Sequence, residues 1–168
     1  MIEVLDRDVY QTPQGKIFMT DDGKLRELAE RVMKSNSGIL KHTNLDDVEF
    51  VIVEGSKEPW LGKAVKVAPM YRLFLKKKFL ILFNATMISA TAPNSLDKVM
   101  VHELYHVNST VDALNDHNVE DFSFMLTTYG VDWRNNNKGI IPKDELMKLA
   151  PWSMSGTVTT AAGLDKTQ

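Results

Sequence analysis

The sequence predicts an α+β fold: a small mixed β-sheet packed against an N-terminal helix, a helix carrying His102-Glu103-Leu104-Tyr105-His106, and one following helix. Three observations predict it. Apolar residues recur at helical spacing near residue 25 and again from residue 96. The stretches between them are short and rich in Val, Ile or Phe, as strands are. Finally, 168 residues with 43% apolar content can bury one substantial core and are too few for two full-sized domains.

Residues 1–22 are polar and mixed, with a turn over Gln11-Thr12-Pro13-Gln14-Gly15 and a short strand at Ile17-Phe18-Met19. Asp21 and Asp22 precede a helix whose buried stripe is Leu25, Leu28, Ala29 and Val32, with Glu27 facing Arg31, and Ser35-Asn36-Ser37-Gly38 stops it. Three strands are expected at 48–53, 64–67 and 78–83. The last is apolar on both faces over 79–83, as an interior strand would be. The run Lys76-Lys77-Lys78 beside it reads as a solvated turn that discourages edge pairing, and Trp60 as core or loop packing. Asn94 with Asp97 three residues on resembles an N-cap pair, opening a helix whose stripe is Leu96, Met100, Leu104 and Val107. After it, Asp116 or Asn115 is placed to cap a helix turning Val119, Phe122, Leu126 and Tyr129 inward. A brief helix is expected over 143–149. The domain is expected to end at 154, with 155–168 too poor in apolar surface to repay its ordering entropy and left as a flexible tail.

His102 and His106 lie one helical turn apart on one face, where two imidazoles can share a cation. Glu103 projects about 100° away. It is too far round to chelate comfortably, yet close enough to hold a water on the metal, which is the division of labour of a zinc hydrolase. A catalytic zinc site takes three protein ligands and keeps the fourth position for water. His117, in the first turn of the following helix, is the leading third ligand, because the remaining histidine, His42, sits in a polar turn far upstream. Glu120 and Asp121 are the competing carboxylate ligands. Asp121, at i+4 from His117, is also placed to accept that imidazole's second N–H. Tyr105 is expected to pack.

Composition excludes several classes. Without cysteine, a transition metal must be held by His and carboxylate. A net charge of −2 argues against a surface that coats nucleic acid. The start lacks the basic flank and apolar core of a signal peptide, and no apolar run approaches the ~20 residues of a membrane span, so a cytoplasmic protein without a membrane partner is expected.

Val101-His-Glu-Leu-Tyr-His-Val107, Asp116-His-Asn-Val-Glu-Asp-Phe122 and Tyr129-Gly-Val-Asp-Trp133 together resemble the phage metallopeptidases, small zincin-like proteins distantly akin to the SprT-like minimal zincins. The resemblance extends more weakly to Gly62–Val67 and Phe79–Phe83, and covers roughly residues 24–133. It departs at Asn118, where the family's second motif carries an aspartate. It implies a minimal zincin-like fold, a Zn²⁺ site of His102, His106 and His117, and Glu103 as general base. The expected activity is amide hydrolysis of a peptide or protein. Two other readings stand beside it: a zincin-fold module that binds metal without hydrolysis, which leaves Glu103 without a purpose, and a SprT-like protease of DNA-bound proteins, which the scattered Lys and Arg do not favour.

Overall fold

A computed structural model describes residues 8–21, 23–90, 96–118, 121–134 and 140–141. The architecture is mixed α+β, as the sequence predicts. Its centre is a five-stranded mixed sheet in the order β1-β2-β3-β5-β4. The strands are β1 (Val9–Gln11), β2 (Ile17–Thr20), β3 (Val48–Glu54), β4 (Gly62–Lys66) and β5 (Phe79–Asn84). β3 and β5 pair in parallel, and every other pairing in the sheet is antiparallel.

Strand alternation decides which side chains reach the core. Val48, Phe50 and Ile52 of β3 stand opposite Phe79, Ile81 and Phe83 of β5 and are buried with them, while the residues between are half-buried. β5 is therefore an interior strand, as expected. The lysines before it consequently protect no edge. Lys78 pairs with Asp47 at 3.1 Å, Lys77 Nζ donates to the Asp46 carbonyl, and Lys76, at φ 52, closes the helix that precedes β5.

Five α-helices surround the sheet among the described residues: α1 (Lys24–Ser35), α2 (Pro69–Leu75), α3 (Ala85–Ala90), α4 (Leu96–His106) and α5 (Ser123–Tyr129). α1 buries the expected stripe of Leu25, Leu28, Ala29 and Val32. Its start is capped by Asp21, whose carboxylate accepts from the Leu25 and Arg26 N–H groups. α4 packs on α1 and on β4, so the helix carrying residues 102–106 is fixed from two sides. A two-stranded ribbon, β6 (Val107–Asn108) and β7 (Ala113–Leu114), follows it.

Asp97 is fully buried and accepts from the Lys98, Ile140 and Ile141 N–H groups, tying the end of the described chain to α4. Its pKa is raised because burial disfavours the anion. Residues 115–118 are not helical, since β7 pairs with β6 up to Leu114 and the Asn115 side chain is drawn into other bonds. α5 starts instead at Ser123, whose N–H is accepted by the Asn118 side chain at 2.9 Å, so the residue that departs from the family pattern caps the helix. Unanticipated altogether are β1, α2, α3 and the β6–β7 ribbon. The expected cap at Asn94, the helix over 143–149, Val119, Glu120 and the boundary at 154 lie outside the described residues.

Candidate metal centre

The end of α4 needs partners for its last carbonyls, and three elements provide them. Thr43 Oγ1 donates to the Leu104 and Val107 carbonyls at 2.9 and 3.1 Å. Asn115 Nδ2 donates to the Tyr105 carbonyl at 2.7 Å, and the Asn115 N–H to the His106 carbonyl, also at 2.7 Å. His42 Nε2 lies 3.1 Å from Asn115 Nδ2 and 3.2 Å from the Tyr105 carbonyl. These bonds fix the helix end. They also bring the 113–118 segment back across it.

The return segment places His117 against the helical pair. His117 Nε2 lies 3.1 Å from His102 Nε2, and ligand-capable atoms of His102, His106 and His117 all fall within 4.8 Å of one another. His106 Nδ1 donates to the Asn115 carbonyl at 2.7 Å, which leaves its Nε2 as the free acceptor. Two nitrogens on one tetrahedral zinc are about 3.3 Å apart, given bonds of ~2.0–2.1 Å, so the 3.1 Å separation suits that coordination. Three imidazoles with facing nitrogens, one already fixed in the right tautomer, fit a borderline-soft divalent cation.

Asp121 does not reach His117 as a helical neighbour. Its Oδ1 instead lies 3.0 Å from His102 Nδ1, at ion-pair distance but outside hydrogen-bond alignment. The same carboxylate accepts from the Phe122 N–H at 2.7 Å and from Trp133 Nε1 at 2.8 Å, and Arg134 Nη2 stands 3.4 Å away. Trp133 in turn stacks on His102 at 5.3 Å, and the Arg134 guanidinium lies over the Trp133 ring at 5.0 Å. Phe122 forms the floor. Its ring centroid is 5.1, 4.6 and 4.8 Å from those of His102, His106 and His117. Tyr105 packs on Phe122 and Phe124, as expected of it.

Burial sets the electrostatics. The pKa values of His102 and His106 are lowered, chiefly by desolvation, so both rings are neutral near pH 7 and free to donate lone pairs. Glu103 is 5% exposed and its pKa is pushed up to about 8, first by burial, with Asp121 adding to it and the Ala64 N–H and Arg134 opposing. Gly62 of β4 makes room for this carboxylate. A Cβ at position 62 would stand 2.6 Å from Glu103 Cγ and 2.8 Å from Oε1. A cleft of about 480 Å³ opens over these groups, lined by Pro59–Ala64, Val99, His102, Glu103, His106, His117, Trp133 and Arg134.

A family model described as putative phage metallopeptidase matches residues 17–140. The chain belongs to that family. No curated protein and no solved structure matches it. The match spans every described element of the chain except β1, and all the groups gathered at the cleft. Sequence reasoning missed four of those groups. Trp60, expected in the core or a loop, is half-buried in the cleft wall, with its Nε1 donating to Glu58. Asn115 holds His106, and Arg134 flanks the cleft. Gly62 carried a usable signal, because an isolated glycine in a strand marks close approach by something else.

Proposed function

We propose that this phage metallopeptidase is a zinc-dependent hydrolase of peptide bonds, with His102, His106 and His117 as the metal ligands and Glu103 as the general base. One observation carries the reading: three imidazoles converge beside a buried carboxylate in an open cleft. A Zn²⁺ held there supplies Lewis acidity to the substrate carbonyl and to the attacking water.

The chain's own groups do the rest. Burial raises the proton affinity of Glu103, so that once ionised it is a strong enough base to take a proton from the water as the new C–O bond forms. It then delivers that proton to the departing nitrogen as the C–N bond breaks. The second water proton is shed as the new carboxylic acid ionises, leaving carboxylate and amine. Ala64 N–H and Gly62 hold the Glu103 carboxylate in place, and Asp121 and the Asn115 carbonyl orient the rings of His102 and His106. The substrate shape this cleft admits is an extended chain, since β4 beside it is the outermost strand of the sheet among the described residues. The polypeptide from 1 to 154 is proposed to act as one domain.

Zinc analysis and a fluorogenic peptide mixture test the proposal together. Glu103→Gln should retain one zinc per chain and lose hydrolysis, whereas His117→Ala should weaken zinc binding. Undiminished hydrolysis by Glu103→Gln removes the general base. Full zinc occupancy of His117→Ala at low free zinc removes the third ligand.

A further inference from the structure

α2 lies between β4 and β5 and buries none of its seven residues. Met70, Tyr71, Leu73, Phe74 and Leu75 are 62%, 55%, 77%, 80% and 46% exposed. At 100° per residue they span an arc of about 200°, and Arg72 and Pro69 fall in the remaining sector. Arg72 is the tether: its Nε donates to the Val67 carbonyl and its Nη1 to Asp112 Oδ2, both at 3.0 Å. Asp112 belongs to the turn between β6 and β7, next to Val111, which is itself 66% exposed.

We propose that α2 and the 109–112 turn form a two-fold interface between two copies of this chain. With side-chain areas on the order of 200 Å² each, the five α2 residues leave roughly 600 Å² in solvent, the upper end of what a monomer carries. Two such faces bury on the order of 1,200 Å², enough for a stable interface. The composition is that of an interface centre, with Met, Tyr and Phe. Its rim carries both signs. Lys76 is exposed at the end of α2, and Lys77 reaches the carbonyl of Asp46, whose own side chain is 81% exposed. Asp46 already pairs with Arg26 at 2.7 Å and Asp112 with Arg72 at 3.0 Å inside each copy, so the apolar centre drives the pairing, the same face meeting itself under a two-fold rotation.

Sedimentation velocity and hydrogen exchange of the full chain at concentrations up to roughly 100 µM test this. The wild type should sediment at about twice the 19.0 kDa chain mass, and exchange over 69–75 and 109–112 should slow as concentration rises. A double Leu73→Ser, Phe74→Ser variant should keep its far-ultraviolet spectrum and dissociate at least about 10-fold more readily. Because both side chains are solvent-exposed, a lost dimer in that folded variant reports the interface. A monomeric wild type overturns the proposal, whether it floats with phosphatidylcholine–phosphatidylserine vesicles or binds nothing. Dimers protected elsewhere, or untouched by the double substitution, overturn it equally.

Discussion

Gly62→Ala asks how tightly Glu103 is held. The added Cβ would meet Glu103 Cγ, Oε1 and Cδ at 2.6, 2.8 and 2.9 Å, where relaxed carbon contacts lie near 3.5–4.0 Å. Either the carboxylate or the strand must move by about 1 Å, and overpacking of this kind costs roughly 1–3 kcal/mol. The backbone at 62 has no left-handed φ, so alanine is otherwise favourable there and should stabilise by about 0.4–1 kcal/mol through the unfolded chain. The sign of the substitution therefore depends on Glu103. In the wild-type background Gly62→Ala should lower the urea midpoint; in a Glu103→Ala background it should leave the midpoint unchanged or raise it. The expected coupling is on the order of 2 kcal/mol. Hydrolysis should fall about 100-fold, the usual consequence of ~1 Å misplacement and equivalent to ~2.7 kcal/mol of barrier. Equal destabilisation in both backgrounds would refute the reasoning, because the clash would then lie elsewhere.

Other consequences are equally measurable. Folded Glu103 keeps its proton up to about pH 8, whereas an unfolded glutamate loses it near 4.5. The metal-free protein should thus lose, as pH rises through that window, on the order of 5 kcal/mol that is fully present below it, and Glu103→Gln should flatten the profile in chemical denaturation. His102 and His106 act in the opposite direction: with folded pKa values below 6.5, they cost stability as pH falls through 6.5, a slope that His102→Gln should reduce in the same titration. Asp121→Asn removes the anion 3.0 Å from His102 Nδ1 and should weaken zinc binding about 10–100-fold in a chelator competition, with unaltered affinity excluding its orienting role. Asp97→Ala leaves the Ile140 and Ile141 N–H groups without their acceptor and should cost roughly 1–3 kcal/mol by thermal or urea unfolding.

What could be read from the chain divides by the range of the interactions involved. The stripe of α1 is a local periodicity whose members are the buried ones, and the short apolar runs at 48–53 and 79–83 mark β3 and β5. The pairing of His102 with His106 is likewise set by one helical turn, and their ring centroids are 5.1 Å apart. By contrast, the non-helical path of 115–118 comes from bonds that Asn115 makes to Tyr105, His106 and Asn108, none of them visible in local propensity. The reassignment of Asp121 from His117 to His102 follows from that path. Nor does sequence distinguish α2 from a core segment, since its residues are as apolar as those of β5; they are exposed because no described element covers them. Arg134 reaches the cleft through Asp121 and Trp133, groups whose meeting is tertiary.

The ring of Phe122, touching all three imidazoles, has an effect that outlasts its packing. Histidines sharing a small space can relieve mutual repulsion by swinging apart and collecting protons, and a benzyl group wedged beneath them opposes that escape. The rings thereby stay assembled without a partner. On the proposed reading, a cation would enter with little rearrangement of its ligands.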